Sequence, residues 1–164
     1  MSTRGFVGFK HNKKAPKGWY NHSDSYPSYL GDSVVTKAMT HTRDELLAFF
    51  NSVKFLNDET LYDNHKSIFD FEVWDCLSEW QIMDGGTFYK DGLFCEWSYI
   101  FNFDNDTLEI YKGFGVKPTK GLEKWFYTDG KDKWYVNRVS VTPLSAFHFD
   151  KAGFINSLEK VEND

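Results

Sequence analysis

Apolar and polar residues alternate in several short stretches of this chain, and a period of two is typical of β-strands. The alternation predicts three hairpins, formed by residues 3–11 with 19–22, 93–103 with 107–114, and 125–128 with 133–141. Asp129-Gly130 is a favourable short turn for the last of them. These six stretches are therefore expected to build a sheet from neighbouring strands.

Apolar residues recur at helical spacing in four other segments, residues 31–40, 43–53, 69–83 and 151–161. Thr42 and Glu45 have the spacing of a capping box at the start of the second helix, and Asp150 precedes the fourth as a helix cap. A chain of 164 residues fits one domain. The elements together predict a single α+β domain, with a largely antiparallel sheet of hairpins and three to four packed helices.

Composition narrows the possible classes of function. The net charge is −5, whereas a protein that binds nucleic-acid backbones in general is expected to be basic. Cys76 and Cys95 do not form a CxxC pair, and no two of the five histidines have i, i+4 spacing, so the sequence predicts neither a metal nor a cofactor. No signal peptide and no apolar run of about 20 residues is present, which predicts a cytoplasmic protein without a membrane span. The oligomeric state stays open.

The most unusual stretch is residues 19–31, where polar side chains and aromatic rings are interleaved. Pro27 stiffens the backbone directly after the polar run, and a stiff loop suits a preorganised site. The first hairpin places Arg4 opposite this run. Glu96 stands out as a carboxylate in an otherwise apolar stretch, where it must pair or shift its pKa. The predicted catalytic residues are His22, Asp24 and Glu96, and the predicted ligand-binding residues are Arg4, Asn21, Tyr26 and Trp97.

Four motifs resemble those of a family of uncharacterised proteins from phages and bacteria. They are Thr3-Arg4-Gly5, the run from Tyr20 to Pro27 with Leu30-Gly31, the run from Leu93 to Trp97, and the run from Tyr111 to Phe114. The family carries no established catalytic role. The resemblance implies a phage or mobile-element origin, and small proteins of that origin often counter host immunity, as anti-CRISPR proteins do.

Two functions follow as the main expectations. In the first, the polar pocket binds or cleaves a phosphate-bearing ligand such as a nucleotide, a signalling molecule or RNA. Arg4 would clamp the phosphate, His22 would act as acid or base, and Asp24 would orient His22 or bind directly. In the second, the protein inhibits a host defence protein by binding alone. Contacts would come from Tyr26 and Tyr29 or from the acidic residues Asp104, Asp106 and Glu109.

Two further interpretations stay open. The hairpin start with its Asn-x-x-Asp segment is similar to N-terminal nucleophile amidohydrolases, in which Ser2 would attack an amide after removal of Met1. Alternatively, residues 19–31 form a well-bonded loop that only supports the fold.

Overall fold

The computed structural model of the chain describes residues 3–56, 81–114, 124–128, 133–146 and 150–161. The strands are β1 (Gly5–Lys10), β2 (Lys17–Asn21), β3 (Lys54–Leu56), β4 (Gln81–Met83), β5 (Trp97–Asn102), β6 (Thr107–Lys112), β7 (Lys124–Thr128) and β8 (Lys133–Pro143). The helices are α1 (Asp32–Thr40), α2 (Arg43–Ser52) and α3 (Lys151–Glu159), and a wide helical turn over Pro27–Gly31 leads into α1.

Six of these strands form one sheet in the order β2-β1-β5-β6-β8-β7. All neighbours are antiparallel except β1 and β5, which run parallel. The predicted α+β class is confirmed, as is the placement of the first two hairpins in one sheet. β3 and β4 form a separate parallel pair.

The larger hydrophobic core lies between one face of the sheet and the helices. Alternate residues of β1 and β5, such as Phe9 and Tyr99, point to this side, where they meet Val34 and Val35 of α1 and Leu46 of α2. The opposite face carries a smaller cluster, which the segment after β4 covers with Tyr89 and Cys95. The sheet is therefore apolar on both faces.

The predicted helix caps are both present. The Thr42 hydroxyl accepts the Glu45 N–H at 3.2 Å, and the Glu45 carboxylate accepts the Thr42 N–H at 3.1 Å. The Asp150 carboxylate accepts the Gly153 N–H at 3.1 Å, at the start of α3. Such caps satisfy N–H groups that have no partner inside the helix, so the signals are local and readable in sequence.

Two predicted boundaries are wrong. The strand predicted from residue 93 begins only at Trp97, because Asp91 draws the chain into a turn: its carboxylate accepts the Leu93 N–H at 3.1 Å, and its carbonyl accepts the Cys95 N–H at 2.8 Å. The end of the predicted helix over residues 69–83 is a strand instead, because Gln81–Met83 pairs with Lys54–Leu56. Residues 57–80 of that region and the Asp129-Gly130 turn lie outside the described residues.

Candidate functional site

The sheet register brings the predicted site residues to one end of the sheet. Gly5 is paired with Asn21 on one side and with Trp97 on the other, and Trp97 is paired with Lys112. Arg4, His22 and Glu96 each lie one residue beyond this row, so all three belong to the same end. We call the surface formed by Arg4, Phe94, Glu96, Lys112 and Phe114 the strand-end face.

Asn21 is buried and its side chain is used within the loop. Its amide nitrogen donates to the Ser23 carbonyl at 2.6 Å and to the Ser25 hydroxyl at 2.7 Å. Gly5 on the neighbouring strand leaves the space for this arrangement, since a Cβ there would come within 2.7 Å of the Ser25 hydroxyl. Asn21 thus fixes the shape of the polar run.

His22 and Asp24 are exposed and do not form a catalytic pair. His22 Nδ1 is 2.7 Å from the Tyr20 hydroxyl, and the Tyr20 ring packs edge-on against Phe88 at 4.8 Å. Asp24 has a left-handed backbone, with φ of 53°. Its carboxylate has no hydrogen bond or ion pair with any residue of the described segments, so it does not orient His22.

Arg4 lies against an exposed aromatic ring. Its guanidinium carbon is 5.5 Å from the centre of the Phe94 ring, and 46% of Phe94 is exposed. The Arg4 carbonyl accepts the Glu96 N–H at 3.0 Å. Within the described residues, the Arg4 guanidinium forms no hydrogen bond or ion pair, with Asp24 or with any other side chain.

Glu96 and Lys112 occupy partly buried positions on the same face. Partial burial raises the pKa of Glu96, while the charges of Lys112 and Arg4 oppose this shift. Burial likewise lowers the pKa of Lys112, and Glu96 opposes that shift. Glu96 is therefore a partly buried carboxylate near Arg4. The two side chains interact through their charges, and the only hydrogen bond between the two residues in the described segments joins their backbones.

Trp97 is buried, so its ring supports the site from within. Lys112 Nζ lies 4.7 Å from the centre of the Trp97 ring and donates to the Val161 carbonyl at 3.1 Å. This contact fastens the end of α3 to the sheet. Stacking on a ligand would have to come from another ring.

Tyr26 is half-buried at the start of the helical turn. Its ring lies 5.8 Å from that of Tyr29, which is 61% exposed. The turn is held by the Gly31 N–H, which donates to the Tyr26 carbonyl at 3.1 Å, and by the Ser28 N–H, which donates to Glu159 at 3.0 Å. These hydrogen bonds hold the end of the loop that follows Pro27.

Other candidate chemistry is weak. Cys95 is fully buried, and burial raises its pKa to about 12, so its thiol is not a nucleophile at neutral pH. Glu109 is also buried, and its carboxylate accepts from Arg138 at 2.9 Å and from Asn102 at 3.1 Å. It is therefore not available as a contact residue for a partner. Three cavities lined by described residues lie away from the polar run.

Sequence reasoning missed Phe94 as a surface residue. The predicted strand from residue 93 placed it in a regular alternation, whereas the Asp91 turn exposes it. The Asp91-Gly92 pair was an available signal, because this pair is typical of turns. The Asp carboxylate can accept hydrogen bonds from N–H groups two or three residues ahead.

Among the described residues, no group of three or more His, Cys, Asp or Glu side chains is placed to hold a metal ion. Within the same part of the chain, no helix has the length and apolar character needed to cross a membrane. Comparison of the chain with protein-family models, with curated proteins and with solved structures gave no match in any of the three.

Proposed function

We propose that this protein acts by binding another protein, without catalysis, and that the strand-end face is its contact surface. The resemblance to phage and bacterial proteins suggests that the partner belongs to a host immune system. The protein would then be an accessory protein of a phage or mobile element that acts in the host cytoplasm, as an inhibitor of CRISPR or of another defence.

One observation carries this proposal: two large aromatic rings are exposed together at the end of the sheet, beside a partly buried arginine. Phe94 is 46% exposed and Phe114 is 44% exposed. The Gly113 N–H donates to the Glu96 carbonyl at 2.9 Å, which holds the segments of both rings next to each other. Aromatic residues and Arg are enriched at protein interfaces and among the residues that contribute most to binding.

Arg4 is suited to contact a protein partner. Stacking on Phe94 fixes the guanidinium while its N–H groups can still donate to a carboxylate or carbonyl. The net charge of −5 favours approach to a partner with basic regions, and Arg4 adds a local contact of opposite sign.

The geometry around the polar run gives little support to catalysis by His22 and Asp24. A general base needs a second group to orient it, and in the described residues His22 contacts only the Tyr20 hydroxyl and ring. Asn21 and Trp97 are buried, so neither side chain is open to a substrate. The polar run therefore supports the strand-end face as a rigid border.

Amide hydrolysis by Ser2 is a second candidate. Thr3 is buried and its carbonyl accepts the Ser25 N–H at 3.2 Å, so the chain is held against the polar run one residue after position 2. Mass spectrometry of the purified protein tests whether Met1 is removed. If it is retained in full, this candidate fails, since the mechanism needs the free amine of residue 2.

The main proposal is tested by phage plating on a panel of bacterial hosts, each carrying one defence system. Expression of the protein should restore plating on at least one host. His22→Ala and Asp24→Asn should retain this effect, because neither side chain belongs to the strand-end face. Loss of the effect in both variants, with unchanged melting temperatures, would instead support a catalytic or ligand-binding role for the polar run.

A further inference from the structure

The turn between β1 and β2, at the other end of the sheet, carries four lysines: Lys10, Lys13, Lys14 and Lys17. We call residues 10–17 the basic turn. No Asp or Glu occurs from Thr3 to Ser23. None of these four ammonium groups forms an ion pair with a residue of the described segments. Four lysines within eight residues are unusual in a chain with 24 acidic and 19 basic residues, and they make this turn a local attractor for anions.

The basic turn is held in one conformation. Asn12 and Lys13 both have left-handed backbones, with φ of 56° and 57°, and the Lys14 N–H donates to the His11 carbonyl at 3.2 Å. The Lys13 N–H also donates to the Asp104 carboxylate at 2.9 Å. A left-handed conformation is uncommon for lysine, so the surrounding contacts must hold it. The lysine side chains thus project from a fixed scaffold.

A cavity of about 350 Å³ opens on one side of this turn. One wall is aromatic: the rings of Phe9 and Phe50 are stacked at 5.1 Å, and those of Phe50 and Phe55 lie 6.1 Å apart. The other wall belongs to the basic turn and includes Lys14 and Lys17. We call this cavity the aromatic cleft.

His11 adds a polar group to the aromatic cleft. Its Nδ1 atom is buried and has no hydrogen-bond partner within the described segments. The Asp104 carboxylate lies 3.9 Å from that nitrogen, which is beyond hydrogen-bond distance. Because this nitrogen is buried, the contribution of His11 to the cleft is the rest of its ring and not a hydrogen bond from Nδ1.

We infer that the aromatic cleft binds a nucleotide, with its phosphate on Lys14 and Lys17 and its base against Phe50 and Phe55. Every nucleobase has a flat face that can stack on an aromatic ring, and a phosphate pairs with lysine. Lys17 Nζ lies 5.4 Å from the centre of the Phe55 ring, so the cation and the ring are close enough for one small ligand to touch both. The volume is at the low end of the roughly 300–1,000 Å³ of small-molecule sites, which indicates a single nucleotide unit.

A second cavity, of about 230 Å³, lies on the other side of the basic turn and is a poorer place for an anion. It is lined by Glu109 as well as by Lys10 and Lys13. The Glu109 carboxylate is paired with Arg138 but still makes that cavity less favourable to a phosphate, whereas no Asp or Glu lines the aromatic cleft. The phosphate is therefore assigned to the aromatic cleft.

Isothermal titration calorimetry with adenosine monophosphate at about 20 mM salt tests this site. We expect a submillimolar dissociation constant for the full chain, with much weaker binding of inorganic phosphate and of adenosine, because each of these offers only half of the contacts. Equal affinity for inorganic phosphate would overturn the nucleotide assignment, and so would the absence of binding up to millimolar concentrations.

Variants locate the ligand. Lys14→Gln and Lys17→Gln should each weaken binding about tenfold, which corresponds to one lost charge-assisted contact, and Phe55→Leu should weaken it to a similar degree. Lys160→Gln removes one exposed lysine from the end of α3 and should leave binding unchanged. Phe94→Leu is the matched control for the aromatic ring. If Lys160→Gln weakens binding as much as Lys14→Gln, the attraction is general and the site is refuted.

The base and phosphate in the cleft could belong to a free nucleotide or to one nucleotide of a single-stranded nucleic acid. Titration with an eight-residue oligothymidylate separates these sources. Tighter binding than thymidine monophosphate, still reduced by Phe55→Leu, would assign a strand to the site. Equal or weaker binding would assign the free nucleotide. Oligothymidylate binding that is insensitive to both Lys14→Gln and Phe55→Leu would contradict the proposed cleft.

Discussion

The two ends of the six-stranded sheet differ in how their charges are used. At the strand-end face, each charged group has a neighbour: Arg4 lies on Phe94, Lys112 lies on Trp97, and Glu96 is partly buried near both cations. At the basic turn, Lys17 lies over the Phe55 ring, but none of the four ammonium groups forms an ion pair with a residue of the described segments, and an open aromatic cleft lies beside them. The first arrangement suits a broad contact with a protein surface, and the second suits a small anionic ligand.

This difference teaches that polar density in the sequence is a poor guide to an open site. The polar run of residues 21–26 is the most conspicuous stretch of the sequence. Asn21, however, donates its hydrogen bonds to Ser23 and Ser25 within the run. In the sequence, the basic turn is a short stretch with four lysines. It becomes a candidate site only because α2 and β3 place Phe50 and Phe55 next to it.

Gly18→Ala should have the largest effect, because it disrupts the hairpin that connects the two ends. A Cβ at Gly18 would overlap the Val7 carbonyl oxygen and the Gly8 Cα, and both are backbone atoms within the sheet. We expect a loss of about 3 kcal/mol or more in the free energy of unfolding, measured by urea denaturation.

Gly86→Ala is the control for that experiment. A Cβ at Gly86 would meet nothing within 4 Å, although its φ of 58° makes the substitution strained. The expected cost is only about 1 kcal/mol. Equal losses in the two variants would mean that the close approach of β1 and β2 at Gly18 is not a constraint on the fold.

Asn21→Ala should destabilise the protein less than Gly18→Ala does, and its effect should be confined to the end of the sheet that carries the polar run. It removes one buried and one partly buried hydrogen bond from the polar run and leaves the Ser25 hydroxyl with one partner fewer, so we expect a loss of about 2 kcal/mol in the free energy of unfolding. Nucleotide binding at the aromatic cleft should not change. Asn156→Ala, on the exposed side of α3, should alter stability by less than about 0.5 kcal/mol. An Asn21 variant as stable as wild type would show that its side chain is free for a ligand after all.

Glu96→Gln should have the smallest effect, and its sign is fixed by the raised pKa of this carboxyl. Because the folded protein holds the Glu96 proton more tightly than the unfolded chain does, this group favours folding below pH 4.5 and costs stability as the pH rises through its folded pKa. The variant should therefore have a slightly higher melting temperature than wild type at pH 7. The gain in the free energy of unfolding should be less than about 1 kcal/mol, because solvent screens the group.

The internal control is the same comparison at pH 4, where the wild-type side chain is largely neutral. The two melting temperatures should converge there. A variant that is less stable than wild type at pH 7 would indicate that the Glu96 carboxylate is stabilised by Arg4 and Lys112 more than it is penalised by burial.

Much of the fold could be predicted because its signals are local. The capping box at Thr42 and the Asp150 cap each depend on residues a few positions apart. The parallel pairing of β1 with β5 could not be read in this way, since about ninety residues separate the strands and no short pattern encodes their contact. The late start of β5 was missed because the Asp91 side chain competes with strand pairing.

The candidate site was predictable in outline only. Hairpin geometry placed Arg4 opposite the polar run, and the register agrees, with Gly5 paired to Asn21. What each side chain does there depends on its surroundings: Asn21 and Trp97 turn inward, whereas Phe94 turns outward. Burial at a strand end is decided by tertiary packing, which the local pattern does not contain.

The central claim is that the strand-end face, rather than exposed apolar surface in general, binds the partner. The most direct measurement compares Phe94→Ser with Val141→Ser in the plating assay on a host where the wild-type protein is active. The two side chains are 46% and 45% exposed, and Val141 lies on β8 opposite Glu109, towards the other end of the sheet. The account predicts that Phe94→Ser loses at least about tenfold in plating, with Val141→Ser unchanged and both proteins folded. Equal activity of the two variants, or loss in Val141→Ser alone, would contradict it.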